Sequence, residues 1–139
     1  MSAQHIEARR LREVARDALK EGRQQDALEV ARQAATLEPD GEDSQVLLGI
    51  TLCQVGMTME GIDALRVAVS INPRNTSTRS NLAMAYQRAG RWDFAVTEWQ
   101  EILREEPANA RAQAALFGAE QKLTESGAHA PATAWAVPC

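Results

Sequence analysis

Few side chains in this 139-residue sequence have the type and spacing that chemistry needs. The two histidines, His5 and His129, lie near the two ends, and neither has a paired acid or nucleophile in its sequence neighbourhood. The two cysteines, Cys53 and Cys139, offer neither a disulfide framework nor a metal-ligand spacing. Cys53 reads as a reactive thiol or as a small apolar residue of a core or groove, and the second reading is preferred. Carboxylate pairs such as Asp17 with Glu21 and Glu101 with Glu105 fall on helical faces, where solvation accounts for them. Glycines never follow a strand pattern as a phosphate-cradling loop requires. The expectation is therefore a chain without catalytic residues, metal or cofactor.

Binding chemistry is better represented. Arg9, Arg12 and Arg16 recur at helical spacing, and Val46 and Ile50 form a branched apolar pair one helical turn apart. Such residues act only if helices hold them on one surface, and the composition favours helices. Hydrophobic residues make up 45% of the chain but aromatic ones only 4%, with much of the remainder Ala and Leu, which lose little side-chain freedom in a helix. A net charge of -4 is too mild to point to nucleic acid as the main partner. The opening MSAQHIEARRLREVARDALK lacks an apolar core segment, and Glu7, Glu13 and Asp17 disfavour a transit peptide. No run approaches the roughly 18–20 apolar residues that span a bilayer. A soluble, cytoplasmic chain without membrane insertion is expected.

Periodicity organises the rest. Pro39, Pro73 and Pro107 are 34 residues apart, and Gly22, Gly56 and Gly90 keep the same step, as do Leu48, Leu82 and Leu116. Gly ends the first helix of each hairpin in a conformation that a side chain would oppose. Pro follows the second helix, which it cannot continue. Asp40 and Thr76 are candidate caps for the helices that come next. Small residues recur where two helices must approach: Ala15, Gly49 and Ala83 on first helices, Ala27, Gly61 and Ala95 on second ones. The spacing predicts helices over 3–21, 24–37, 42–55, 58–71, 76–89, 92–105 and 110–125.

In the third unit, NLAMAYQRAGRWDFAVTEWQEILREEP, Leu82, Ala83, Tyr86, Gly90, Ala95, Trp99 and Pro107 fall where a known pattern has Leu, Gly, Tyr, Gly, Ala, Phe and Pro. The second unit matches with Leu48, Gly49, Leu52, Gly56, Gly61, Leu65 and Pro73, and the first more loosely. This resembles the tetratricopeptide repeat, and the likeness covers nearly all of the chain before residue 110. Departures are Gln45 and Arg79 in place of the pattern's first aromatic, and Glu105 where Leu37 and Ile71 stand.

The resemblance implies an all-α, right-handed α-solenoid of seven helices. It divides into repeats at about 8–41, 42–75 and 76–109, a capping helix at 110–125, and a domain ending near 126. In the capping helix Ala112, Ala115, Leu116, Ala119 and Leu123 should face inward. Residues 127–139 carry no Lys, Arg, Asp or Glu and read as a flexible tail. Within it Trp135, Val137 and the terminal carboxylate could dock in a groove, its own or a neighbour's.

First helices line the hollow of such a solenoid. If Leu11, Val14, Ala15 and Ala18 pack inward, then Arg9, Arg12 and Arg16 face the hollow or its rim. Val46, Ile50 and Cys53 continue the lining in the second unit, and Ser80, Met84, Gln87 and Arg88 in the third. The expected surface is basic at one end and apolar in the middle, suited to an extended or helical peptide with an apolar anchor and negative charge. Co-chaperones of this family grip a terminal carboxylate through Lys, Asn, Asn, Lys and Arg. The matching positions here hold Arg12, Arg16, Leu47, Ser77 and Asn81, so the resemblance does not extend to that clamp. An adaptor or chaperone-like peptide binder is the first expectation. A scaffold that self-assembles through repeat surfaces or the tail is the second.

Overall fold

The computed structural model describes residues 2–127, and every regular element among them is an α-helix. The order is α1 (Ala3–Lys20), α2 (Gln24–Leu37), α3 (Glu42–Gln54), α4 (Thr58–Ile71), α5 (Thr76–Arg88), α6 (Trp92–Glu105) and α7 (Ala110–Glu125). Consecutive pairs α1/α2, α3/α4 and α5/α6 form hairpins, and α7 packs on α6. First helices touch one another, α1 with α3 and α3 with α5, more than second helices do, so the first-helix layer lies on the inside of the curve. Trp135, Val137 and the rest of the expected tail from residue 128 lie outside the described residues.

Three first helices end one residue earlier than the spacing predicts. The cause is the glycine two residues beyond each helix end. Gly22, Gly56 and Gly90 adopt φ of 79°, 93° and 76°, a region that side chains disfavour. The next N–H then reaches back over the last turn: Arg23 to the Ala18 carbonyl, Met57 to Leu52 and Arg91 to Tyr86, each at 2.8 Å. This wrap leaves Glu21, Val55 and Ala89 as half-helical caps.

Helix starts differ from expectation too. Asn75, and not Thr76, caps α5, its Oδ1 accepting from the Ser77 and Thr78 N–H groups at 3.1 and 3.3 Å. Gly41, and not Asp40, precedes α3 and gives no side-chain cap. Asn109 caps α7 through the Ala112 N–H at 2.9 Å.

The departures at Gln45 and Arg79 have a structural use. Gln45 Nε2 donates to the Pro39 carbonyl at 3.0 Å, and Arg79 Nε donates to that of Pro73 at 2.9 Å. Gln113 Nε2 makes the same bond to Pro107 at 2.8 Å. A carbonyl freed by the proline break is thus satisfied three times by the side chain six residues on. The third instance places α7 in register with the first helices.

The core is small residues between helices and large ones between hairpins. In the tightest hairpin a Cβ on Gly61 would lie 2.7 Å from Cys53 Sγ and 2.8 Å from the Gly49 carbonyl oxygen. Trp99, Ile102, Ala112 and Ala119 share one cluster that joins α6 to α7. Leu65, Leu82 and Ala85 join the second hairpin to the third. Leu52, Leu65, Ile102 and Trp99 are all 2% exposed or less, and each contributes roughly 1.5–3 kcal/mol by burial.

Candidate functional site

The first-helix face begins with a correction at its basic end. Arg12 is buried, its side chain 8% exposed, and Nη1 donates to Glu38 Oε1 at 2.8 Å and to Ser44 Oγ at 3.1 Å. Val14, expected inside, is 39% exposed. The stripe is therefore rotated: Arg12 points toward the junction of the first two hairpins and Val14 out of it. A buried cation is kept only where a carboxylate and further hydrogen bonds compensate for lost water, and Glu38 with Ser44 supplies them. Arg9 and Arg16 remain exposed, Arg9 loosely opposite Glu13 at 3.9 Å.

His5 also belongs to this junction. Its Nδ1 lies 2.5 Å from Glu38 Oε2, a contact across 33 residues that sequence neighbourhood could not reveal. Burial raises the Glu38 carboxyl, but the bonds from His5 and Arg12 outweigh it and hold the pKa below the ordinary value.

Farther along, Ile50, Cys53, Met84 and Arg88 come together. With Leu65, Asn81 and others they line a largely apolar cavity of about 240 Å³ between α3 and α5. Cys53 is 7% exposed; burial pushes its thiol pKa up, with Arg88 pulling weakly the other way. A thiol so placed is a poor nucleophile and an ordinary apolar wall. Val46 is half-buried and packs on the cluster beneath. Gln87 is not free: its Oε1 accepts from Trp99 Nε1 at 2.7 Å, which satisfies the buried indole. Ser80 lines a different, more polar cleft of about 220 Å³ with Thr76, Ser77, Trp99, Asn109 and Arg111. A larger, more open hollow at the α3–α4 turn is lined by Met57, Met59, Glu60, Asp63 and Arg88 and was not foreseen.

Charge pairing separates this face from the others. Among the described residues most arginines sit within 4.0 Å of a carboxylate, but Arg16, Arg66, Arg88 and Arg111 do not. Three of these four, Arg16, Arg88 and Arg111, stand on first helices. Arg111 Nη2 lies 3.7 Å from Met84 Sδ, so this cation borders a wall of the apolar cavity. Among the described residues no helix is long and apolar enough to cross a membrane.

No protein-family model matches the sequence. Solved structures do resemble the fold. The first tetratricopeptide domain of Spaghetti (RPAP3), bound to the HSP90 peptide SRMEEVD, superposes with a TM-score of 0.78 at 19% identity, covering 85% of this chain and 94% of that one. The second such domain of human RPAP3, in complex with the HSP70 peptide SGPTIEEVD, gives 0.77 at 15% identity over 85% and 98%. The Sgt2 domain from Aspergillus fumigatus gives 0.78 at 15% identity over 87% and 82%. Seven helices in register among the described residues, glycine-wrapped hairpins and these likenesses make the fold of this chain that of a tetratricopeptide-repeat domain.

Proposed function

We propose that the chain is a protein-interaction module that holds a peptide segment of a partner against the first-helix face, with residues 1–126 as the binding unit. The observation that carries this reading is the apolar cavity at Ile50, Cys53 and Met84 flanked by Arg88 and Arg111, two cations without carboxylate partners among the described residues. An apolar side chain would enter the cavity, and acidic groups of the same segment would meet the guanidiniums. Arg9 and Arg16 extend the basic character toward α1, whereas Arg12 contributes through the packing of the first junction. Two structural neighbours bind acidic peptides, which supports the ligand class. The clamp positions differ, so a chaperone's terminal carboxylate is not the proposed ligand. A cytoplasmic setting is proposed with it, and no catalytic role.

The test is binding of acidic, leucine-containing peptides followed by fluorescence anisotropy. Ile50→Glu should weaken binding about tenfold or more, while Val67→Glu, on the exposed side of α4, should leave it unchanged. Equal losses in both variants would count against this face.

Self-assembly is a second reading that one residue favours. Phe117 is 63% exposed at the α7 position where Ala15, Gly49 and Ala83 stand in the other first helices, the side that faces a second helix there. Light scattering over a concentration series decides it: mass that rises with concentration and falls with Phe117→Ser favours the scaffold.

A further inference from the structure

We infer that the polar cleft between α5 and α7 is an oxyanion-binding compartment that reads one acidic group of the bound peptide, separately from the apolar cavity that takes its anchor. The inference rests on the peptide-binding reading above and extends it. Ser77, Ser80 and Arg111 line the cleft over a floor of Trp99 and Ile102. Neither serine hydroxyl has a hydrogen-bond partner among the described residues, and the guanidinium has only the sulfur of Met84. Hydroxyl donors and a planar, undischarged cation around one hollow are the donor set for a carboxylate or phosphoryl group. The one carboxylate tied into the cleft's edge, Glu106, is already engaged by Thr76 at 2.6 Å and Asn109 at 2.9 Å, which hold its pKa low. Among the described residues no carboxylate stands within 4.0 Å of Arg111.

Placement argues for the same conclusion. Arg111 stands one 34-residue step after Ser77, so the two occupy equivalent positions on α5 and α7 and both line the cleft. The two compartments meet at Met84, which lines the apolar cavity and touches Arg111. Along α5 their linings are offset by about 10 Å, from the region of Ser77 and Ser80 to that of Met84 and Arg88. One interhelical step of roughly 8–10 Å separates them sideways. Their centres are thus roughly 13 Å apart, a distance spanned by about four residues of extended chain. The ligand is thus a peptide with an apolar side chain and, four positions away, an oxyanion.

A double-mutant cycle tests this with a rhodamine-labelled probe, Gly-Ser-Leu-Gly-Ser-Gly-Glu-Gly amide, whose only anionic residue is the glutamate. Replacing that glutamate by Gln should cost about tenfold in affinity for the wild-type chain, and less than about twofold for Arg111→Gln. Ser77→Ala with Ser80→Ala should reduce the discrimination in the same sense. A phosphoserine probe at the same position distinguishes the source of the oxyanion. Tighter binding than glutamate, lost in Arg111→Gln, assigns a phosphoryl group; weaker binding assigns a carboxylate. If Arg111→Gln still discriminates glutamate from Gln in full while the leucine remains essential, the compartment does not exist and the groove reading stands. If no probe binds up to millimolar concentration, both fail. Circular dichroism of each variant confirms the helices; the polar contact of Arg111 among the described residues is with Met84 Sδ.

Discussion

Arg12 Nη1 and Glu38 Oε1 are 2.8 Å apart across the junction of the first two hairpins, and the residue expected to face a ligand instead joins two units of the fold. Arg12 Nε is buried without a hydrogen-bond partner, so the guanidinium depends on Glu38 and Ser44 for compensation. Removing the carboxylate with Glu38→Ala should destabilise by about 3 kcal/mol, because a buried cation would then stand alone. Arg12→Met should cost less, since Glu38 keeps His5 and some contact with water. Urea unfolding of the two variants checks the order.

The same pair sets an acid limb. The folded-state pKa of Glu38 lies below its ordinary value of 4.5, so its stabilisation is complete above that value and is lost as pH falls through the folded one. Wild-type stability should therefore drop on acidification below about pH 4.5, and Glu38→Gln should show a flatter limb with lower stability at neutral pH. Thermal melts from pH 3 to 7 measure it.

Two glycines should respond oppositely to alanine. Gly61 has the Gly49 carbonyl oxygen and Cys53 Sγ inside 3 Å of the added carbon, so Gly61→Ala should cost about 1–3 kcal/mol. Gly118, within α7, has nothing within 4 Å, and Gly118→Ala should stabilise by about 0.5–1 kcal/mol. Denaturant midpoints of both, at equal slope, decide the matter.

Cys53 gives a chemical reporter. Its thiol is buried and its pKa raised, so at neutral pH the thiolate fraction is smaller than in a free cysteine. In a Cys139→Ser background, alkylation at pH 7 should run about tenfold or more slower than that of glutathione and accelerate only at more alkaline pH. Saturating peptide should slow it further, because the thiol lines the proposed anchor cavity.

Much of the fold was legible because it is written as punctuation. Gly and Pro at a constant step place turns whatever the surrounding residues do, and helix boundaries followed to within a residue. Gln45 and Arg79 read as defects, because the reward for a polar side chain there is a carbonyl six residues back that becomes available only when the proline turn forms. Helical spacing says which residues share a stripe but leaves the stripe's rotation open by tens of degrees. That is how Arg12 and Val14 exchanged places. The partnership of His5 with Glu38 and of Gln87 with Trp99 needed tertiary contacts between helices. On the first-helix face, Ile50 and Met84 came together because they stand one 34-residue step apart in adjacent units, and Cys53 and Arg88 lie one turn further along the same two helices.

The claim that a ligand lies on the first-helix face is tested most directly by intermolecular NOEs between methyl-labelled protein and an unlabelled acidic peptide with a single leucine. Contacts from the leucine methyls to Ile50 and Met84 are the predicted result. Contacts to Met59, Val67 and Ile71, the exposed apolar residues of α4, with none to Ile50 or Met84, would contradict it.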